Sequence, residues 1–182
     1  MLDRQPTLVD ERVRLRPLHE DDWDALFAIA SDPGIWEQHP MHDRWREDVF
    51  REFFDDALAK GGALAIIDFV KDQIIGSTRY QAYENADGGS VEIGWTFLAK
   101  RYWGRGINPI VKRMMLEHAF GSVERVDFRV GETNYRSRIA LENIGAIRTD
   151  RTELARYDGK RVLNLVYAMT REDFASGPLF RS

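Results

Sequence analysis

Two segments carry residue types at spacings that chemistry could use. The first runs Thr96-Phe97-Leu98-Ala99-Lys100-Arg101-Tyr102-Trp103-Gly104-Arg105-Gly106-Ile107-Asn108, with Arg101-x-x-Gly104-x-Gly106 as its centre. Two glycines let main chain come close to a ligand, and a helix that starts just after them points free N–H groups at phosphate oxygens. Arg101 and Arg105 add positive charge at the same place. This is not a P-loop, because no Gly-Lys-Ser/Thr follows, nor the dinucleotide fingerprint, because Pro109 stands where a third glycine is expected. A glycine turn that only joins a strand to a helix is the plain alternative. The second segment, Asn134-Tyr135-Arg136-Ser137-Arg138-Ile139-Ala140-Leu141-Glu142-Asn143-Ile144-Gly145-Ala146, follows the next strand, where a second contact to the arm of a phosphate-bearing ligand could lie. His39-x-x-His42 has no carboxylate or cysteine in its pattern, so it predicts no metal site.

These segments need a scaffold, and the chain has enough residues to build one. It is 182 residues long, which predicts one domain over 1–182, with the core at about 8–174 and a short C-terminal tail. A 43% hydrophobic and 12% aromatic content excludes wholesale disorder. With no cysteine there is no disulfide framework, thiolate nucleophile or cysteine metal site. Formal net charge is −4, so no global basic field favours nucleic acid. The opening MLDRQPTLVDER is acidic and lacks an apolar stretch, unlike a signal peptide, and no apolar run approaches the roughly 20 residues of a membrane span. A soluble cytoplasmic protein, a monomer or homodimer, is expected.

Along the chain, Val13–Leu18 alternates as a strand, and Trp23, Leu26, Phe27 and Ala30 fall on one helical stripe behind Glu20-Asp21-Asp22. Segment 31–42 reads as a loop, and Trp45, Val49, Phe53 and Ala57 as a second helix, with Trp23, Trp45, Met114 and Met115 in the core. Ala63–Val70 is too continuously apolar for a half-wet strand and predicts a central one. Strands Ile74–Tyr83 and Ser90–Leu98, a helix Ile107–Phe120, a strand at 126–130 and a short helix Asn134–Asn143 capped by Thr133 or Asn134 follow. Ile147–Arg156 and Arg161–Thr170 flank Asp158-Gly159, a two-residue hairpin signal, and Arg148, Asp150, Arg151 and Glu153 read as a solvated face. Strand alternation puts Glu92, Gly94 and Thr96 on one face and Ile93, Trp95 and Phe97 on the other. The order β α α β β β α β α β β implies an α+β (α/β) fold, a mixed, mostly antiparallel sheet flanked by helices, not a doubly wound one.

The glycine loop and the Asn134-x-x-Ser137…Gly145-Ala146 segment, in this order and element context, together resemble the GNAT superfamily of acetyl-CoA-dependent N-acetyltransferases. Within it, the RimJ/RimL-type branch is similar, through Trp103-Gly104-x-Gly106, the opening VRLRPLHEDD–W, and the Asp158-Gly159…Val166-Tyr167 hairpin, so the likeness covers nearly the whole chain. The resemblance implies splayed central strands at 90–98 and 125–131 that admit acetyl-CoA. Its pantetheine would pair with main chain at Trp95, Thr96 and Phe97, as an added strand would. Its pyrophosphate would lie over Trp103, Gly104, Arg105, Gly106, Ile107 and Asn108 beside Arg101, with Asn134 on the pantetheine arm. The family's common tyrosine acid falls here at Leu141, and the branch's serine acid at Ser137; the segment Ile107-Asn108-Pro109-Ile110 lacks the small Ala-Thr pair of many relatives, with Asn108 able to supply the contact.

The implied reaction is direct acetyl transfer to an amine, a protein N-terminus of the ribosomal type or a small molecule. An alkyl ammonium has a pKa near 10.4, so a base is required, and Glu92 stands where the family often places a carboxylate. For Glu92 a solvated or paired carboxylate is the alternative, and for Ser137 a helix-capping role. Trp36, His39 and Arg44 are expected as acceptor-pocket walls, with packing as the competing account for Trp36. A non-catalytic acyl-CoA-binding module and a nucleotide-phosphate binder are the rival functions; no nucleic acid or membrane partner is expected.

Overall fold

The continuously apolar run after the second helix sets the frame. In the computed structural model, which describes residues 1–157 and 159–180, this run is the central strand β3 (Ala63–Asp68), buried from Ala63 to Ile67. It is flanked by β2 (Val13–Pro17) and β4 (Gln73–Glu84), and β2 by the two-residue β1 (Leu8–Val9). On the other side follow β5 (Ser90–Leu98), β6 (Arg125–Gly131), β8 (Lys160–Thr170) and β7 (Ile147–Tyr157), giving the sheet order β1-β2-β3-β4-β5-β6-β8-β7. Every neighbouring pair is antiparallel except β5 and β6. Tyr157 pairs with Lys160 and Gly159 is left-handed at φ +73°, as a tight hairpin needs; Asp158 of the predicted Asp158-Gly159 turn lies outside the described residues.

The helices are α1 (Trp23–Ala30), α2 (Pro33–Trp36), α3 (Glu47–Lys60), α4 (Ile107–Phe120), α5 (Tyr135–Asn143) and α6 (Arg171–Ser176). On one face, Trp23 and Phe27 of α1 pack against Phe50 and Phe54 of α3, and Phe50 and Phe53 reach Phe97 of β5. On the other face, α4 is anchored where the Tyr80 hydroxyl donates to the Met115 carbonyl at 2.6 Å. The core includes Leu2 and Leu179, so packing extends past 8–174 at both ends.

Three local expectations are corrected. Segment 31–42 contains α2, nucleated by Asp32 accepting from the Gly34 N–H with Pro33 at the first helical position. Trp45 is 42% exposed, because α3 begins only at Glu47 and its buried stripe is Phe50, Phe54 and Ala57. The face assignment of β5 also breaks at Trp95. Between the pairs Arg79–Gly94 and Ser77–Phe97, β5 has one residue more than β4, and Trp95 takes φ +51°. After this bulge Thr96 faces α4, while Phe97 joins Glu92 and Gly94 on the α3 face.

Candidate active site

β5 and β6 pair only at Ser90–Arg125, Val91–Val126 and Glu92–Asp127. Beyond Glu92, β5 stays bonded to β4 and β6 to β8, so the two strands part and leave their facing edges open. The wide end of this opening leads into the glycine loop. Gly104 and Gly106 have φ +67° and +76°, conformations that side chains resist. A Cβ on Gly104 would meet nothing within 4 Å, so main chain there is uncovered. Gly106 is the N-cap of the 14-residue α4, and among the described residues no side-chain cap bond closes the helix. The N–H groups of Ile107 and Asn108 therefore have no partner within the helix, and the helix dipole adds partial positive charge. Asn108 has a buried Oδ1 with no hydrogen-bond partner.

Around this loop, Trp103 Nε1 donates to the Leu98 carbonyl at 3.0 Å and the Arg136 guanidinium covers its ring at 4.2 Å. Arg101 and Arg105 are exposed. Arg12, which sequence reasoning missed, donates to the Arg105 carbonyl at 2.8 Å and ties the loop to the β1–β2 turn. Nothing in the spacing of Arg12 pointed to this contact, 93 residues away in sequence.

The bulge is held from both faces. Arg79, almost wholly buried, bonds Asp56 at 3.0 Å and lies 5.5 Å from the Trp95 ring centre. From the opposite face, Lys112 Nζ donates to Thr96 Oγ1 at 2.6 Å, and Thr96 Oγ1 is 2.8 Å from Thr78 Oγ1. Lys112 is 5% exposed, and burial brings its pKa down from 10.5 to about 7. It sits one residue after Val111 and three before Met115, on the apolar side of α4, which is the one sequence signal that could have singled it out.

Glu92 is 2% exposed and paired with Arg129, whose Nε also contacts Glu153 at 2.6 Å. Burial raises the Glu92 carboxyl above its usual range, opposed by Gln81 and Arg129. The predicted solvated face on β7 thus has a role: Glu153 reaches Arg129, and Arg151 binds Asp127 through two bonds of 2.7 and 2.8 Å. Asn134 Oδ1 accepts from the Ser137 N–H at 3.3 Å, which makes Asn134 the cap of α5. Ser137 Oγ makes no hydrogen bond among the described residues, and Leu141 is buried.

The α2–α3 loop bridges the opening on the α3 face. Trp36 packs on Phe97 of β5 at 5.2 Å, and its Nε1 donates to the Ala30 carbonyl. Pro40 lies so close to Gly131 of β6 that a Cβ there would meet its Cγ at 2.6 Å. Gln38 Oε1 accepts from the Arg136 N–H of α5 at 3.0 Å. Trp36 is buried in the core; His39 Nδ1 accepts from the Met41 N–H, and its Nε2 faces Arg44 at 3.3 Å. Burial and the Arg44 charge push His39 well below the usual histidine range, so it is neutral.

Known proteins are similar to this chain. The family described as "Acetyltransferase (GNAT) domain" matches residues 12–147. A Bacillus licheniformis protein described as an uncharacterized N-acetyltransferase, p20, is 26% identical over 135 residues, 70% of this chain and 75% of that protein. A GCN5-related N-acetyltransferase from Brucella melitensis superposes with TM-score 0.77 at 18% identity, over 93% of this chain and 80% of that one. Mycobacterium smegmatis RimJ in complex with CoA-disulfide gives TM-score 0.77 at 21% identity, over 100% of this chain and 95% of that one. At these identities the two structures share the fold.

Proposed function

The chain belongs to the acetyltransferase (GNAT) family and is an N-acetyltransferase, and from that premise we propose that it takes acetyl-CoA as donor and passes the acetyl group directly to a primary amine. The observation that carries the donor assignment is the uncapped start of α4 behind Gly104 and Gly106, at the wide end of the parted strands. These residues fit the donor: the N–H groups of Ile107 and Asn108 for phosphate, with Arg101, Arg105 and Arg136 for its charge, and the open edge at Trp95–Phe97 for an extended amide chain. Asn108 has an unpartnered acceptor beside this loop, and Asn134 stands at the far side of the opening. RimJ of M. smegmatis, with CoA in its structure, supports the same assignment and the RimJ/RimL-type branch.

Acetyl-CoA supplies an acetyl group activated as a thioester. For the residues of this chain, the tasks are to deprotonate the amine and to return a proton to the departing sulfur. Glu92 takes the first task, directly or through one water, since a carboxyl raised by burial is better matched to an ammonium than an ordinary one. Ser137 takes the second, its hydroxyl being unengaged in the first turn of α5. The acceptor approaches under the α2–α3 loop, past Trp36, His39 and Arg44. A protein N-terminus or a small amine both satisfy this chemistry.

The test combines thermal unfolding with CoA, acetyl-CoA, ATP and NAD and a thiol-release assay over a panel of amines. Ligand at about 100 times its Kd stabilises by about 2.7 kcal/mol. A shift with CoA and acetyl-CoA alone, together with acceptor-dependent thiol release, is the expected result. A shift without turnover for any amine would return the protein to a binding module, and no shift at millimolar CoA would return the glycine loop to a turn.

A further inference from the structure

The described residues include five charged side chains that are buried: Asp22, Arg44, Arg79, Glu92 and Lys112. Three have an opposite charge at contact distance, namely Asp22 with Arg16, Arg79 with Asp56 and Glu92 with Arg129. Lys112 is relieved by its lowered pKa and by Thr96. Arg44 stays charged and has no contacting carboxylate among the described residues. It is 8% exposed, and its guanidinium carbon lies 4.7 Å from the Phe53 ring centre and 5.6 Å from that of Trp36. Its one side-chain hydrogen-bonding neighbour among the described residues is the neutral His39; Tyr157 and Asp43 act on it only through their charge, and among the described residues no carboxylate comes within ion-pair distance. Burial draws its pKa down to about 10, which still leaves it charged at neutral pH. Aromatic faces offset only part of the cost of taking a guanidinium out of water.

Its position says what could complete it. Arg44 belongs to the α2–α3 loop, which spans from Phe97 of β5 to Gly131 of β6 over the parted strands. Phe53 and Trp36, the two rings beneath the guanidinium, both touch Phe97. Glu92 lies on the same face of β5. The loop thus places a cation that has no contacting carboxylate among the described residues, with its fork of N–H donors, on the same face as Glu92.

We propose that Arg44 receives an anionic group of the acceptor, so that the preferred substrates are amines that also carry a carboxylate or phosphate. This rests on the acceptor lying beneath the α2–α3 loop, as in the function proposed above. A carboxylate or phosphate meets the planar guanidinium through paired charge-assisted hydrogen bonds, and supplies the contact ion pair that this buried charge lacks among the described residues. The amine end of the same molecule then faces the Glu92 side. A free amino acid and a peptide whose first residue is acidic both present this pairing of groups.

The experiment compares matched acceptors by kcat/KM: glutamate against glutaminamide, phosphoethanolamine against ethanolamine, and the peptide Glu-Ala-Ala-amide against Gln-Ala-Ala-amide. At least tenfold preference for the anionic member is expected in one or more pairs, and Arg44→Gln should bring that ratio close to one while Arg44→Lys keeps part of it. The pair that discriminates separates a small-molecule acceptor from a peptide. Equal rates within every pair, or a ratio unchanged in Arg44→Gln, would overturn the proposal, since a merely structural arginine would depress both members alike. A second arm needs no turnover: binding of N-acetylglutamate against N-acetylglutaminamide by calorimetry, to the wild type and to Arg44→Gln. Loss of the CoA thermal shift would remove the donor assignment, while the calorimetric arm would still decide on the anion site: no Arg44-dependent preference for N-acetylglutamate refutes it.

Discussion

Lys112 offers the sharpest quantitative test of the packing beneath the bulge. Its ammonium is 5% exposed, has no carboxylate partner among the described residues, and donates one hydrogen bond to Thr96. Burial lowers its pKa from 10.5 to about 7. At roughly 1.36 kcal/mol per pKa unit, that displacement corresponds to a destabilisation of at most about 5 kcal/mol when the unfolded chain is fully protonated. The native state sheds the proton that the unfolded state keeps, so between about pH 7 and pH 10.5 wild-type stability rises with pH, and below pH 7 the cost is constant. Lys112→Met keeps most of the volume, removes the charge and forfeits one hydrogen bond worth about 1 kcal/mol. With allowance for local relaxation, the variant should be more stable than the wild type by about 1–3 kcal/mol at pH 6–7, a rise in Tm of about 2–4 °C for each kcal/mol at this chain length. By pH 10.5 the advantage should vanish or reverse, because a neutral lysine keeps its bond to Thr96. Paired circular-dichroism melts of both proteins from pH 6 to 10.5, compared as differences so that other titrations cancel, provide the assay. A difference that does not change across this range, or a variant less stable at pH 6.5 than the wild type, would refute a buried amine with a depressed pKa.

Asp22 is the opposite case: burial alone would raise its pKa, but bonds from Arg16 at 2.7 Å and from the His19 N–H outweigh it and hold the carboxyl below its usual value. Asp22→Asn should cost about 3 kcal/mol at neutral pH, and this contribution, present above the ordinary aspartate pKa, should fade as pH falls through the lower folded one, read by urea unfolding of both proteins. Gly104→Ala meets no atom within 4 Å, so its loss of about 1–2 kcal/mol would come from the left-handed backbone alone; a CoA affinity that drops tenfold or more beside such a small change in Tm would tie that backbone to the donor. Glu92→Gln should lower kcat/KM by about 10²–10⁴ and abolish an acid limb lying above the ordinary carboxylate range, whereas Ser137→Ala should leave that limb in place. An acid limb unaltered in Glu92→Gln would assign the base elsewhere.

Most of the scaffold is written locally. Ala63–Ile67 has no polar residue to show water and becomes the buried β3. The glycine pair before Ile107 marks the start of α4, and Asn134 caps α5. What stays hidden is set by partners distant in sequence. Trp45 continues a spacing of four with Val49 and Phe53, yet lies outside α3, because periodicity carries no signal for where a helix starts when no capping side chain marks it. The path of the α2–α3 loop is fixed by Pro40 against Gly131 and by Gln38 against the Arg136 amide, contacts that span about ninety residues or more. Such contacts leave no periodicity to read.

The bulge at Trp95 shows why the site was less legible than the fold. Left-handed backbone is announced in sequence by glycine, asparagine or aspartate, and a tryptophan announces the reverse. The chain accepts roughly 1–2 kcal/mol of strain there, which Arg79 and Asp56 on one side and Lys112, Thr96 and Thr78 on the other must offset. The extra residue changes which side chains share a face, so that Phe97 and Glu92 look toward the α2–α3 loop together while Thr96 turns to α4. A regular β5 would have turned Phe97 away from Trp36, Phe50 and Phe53, and Arg44 would have lost the aromatic floor on which it lies. Relaxing the bulge is therefore expected to disturb the acceptor side before the glycine loop: in Arg79→Met, acceptor KM should rise while the Kd for CoA moves less, and the opposite order would detach the bulge from acceptor binding.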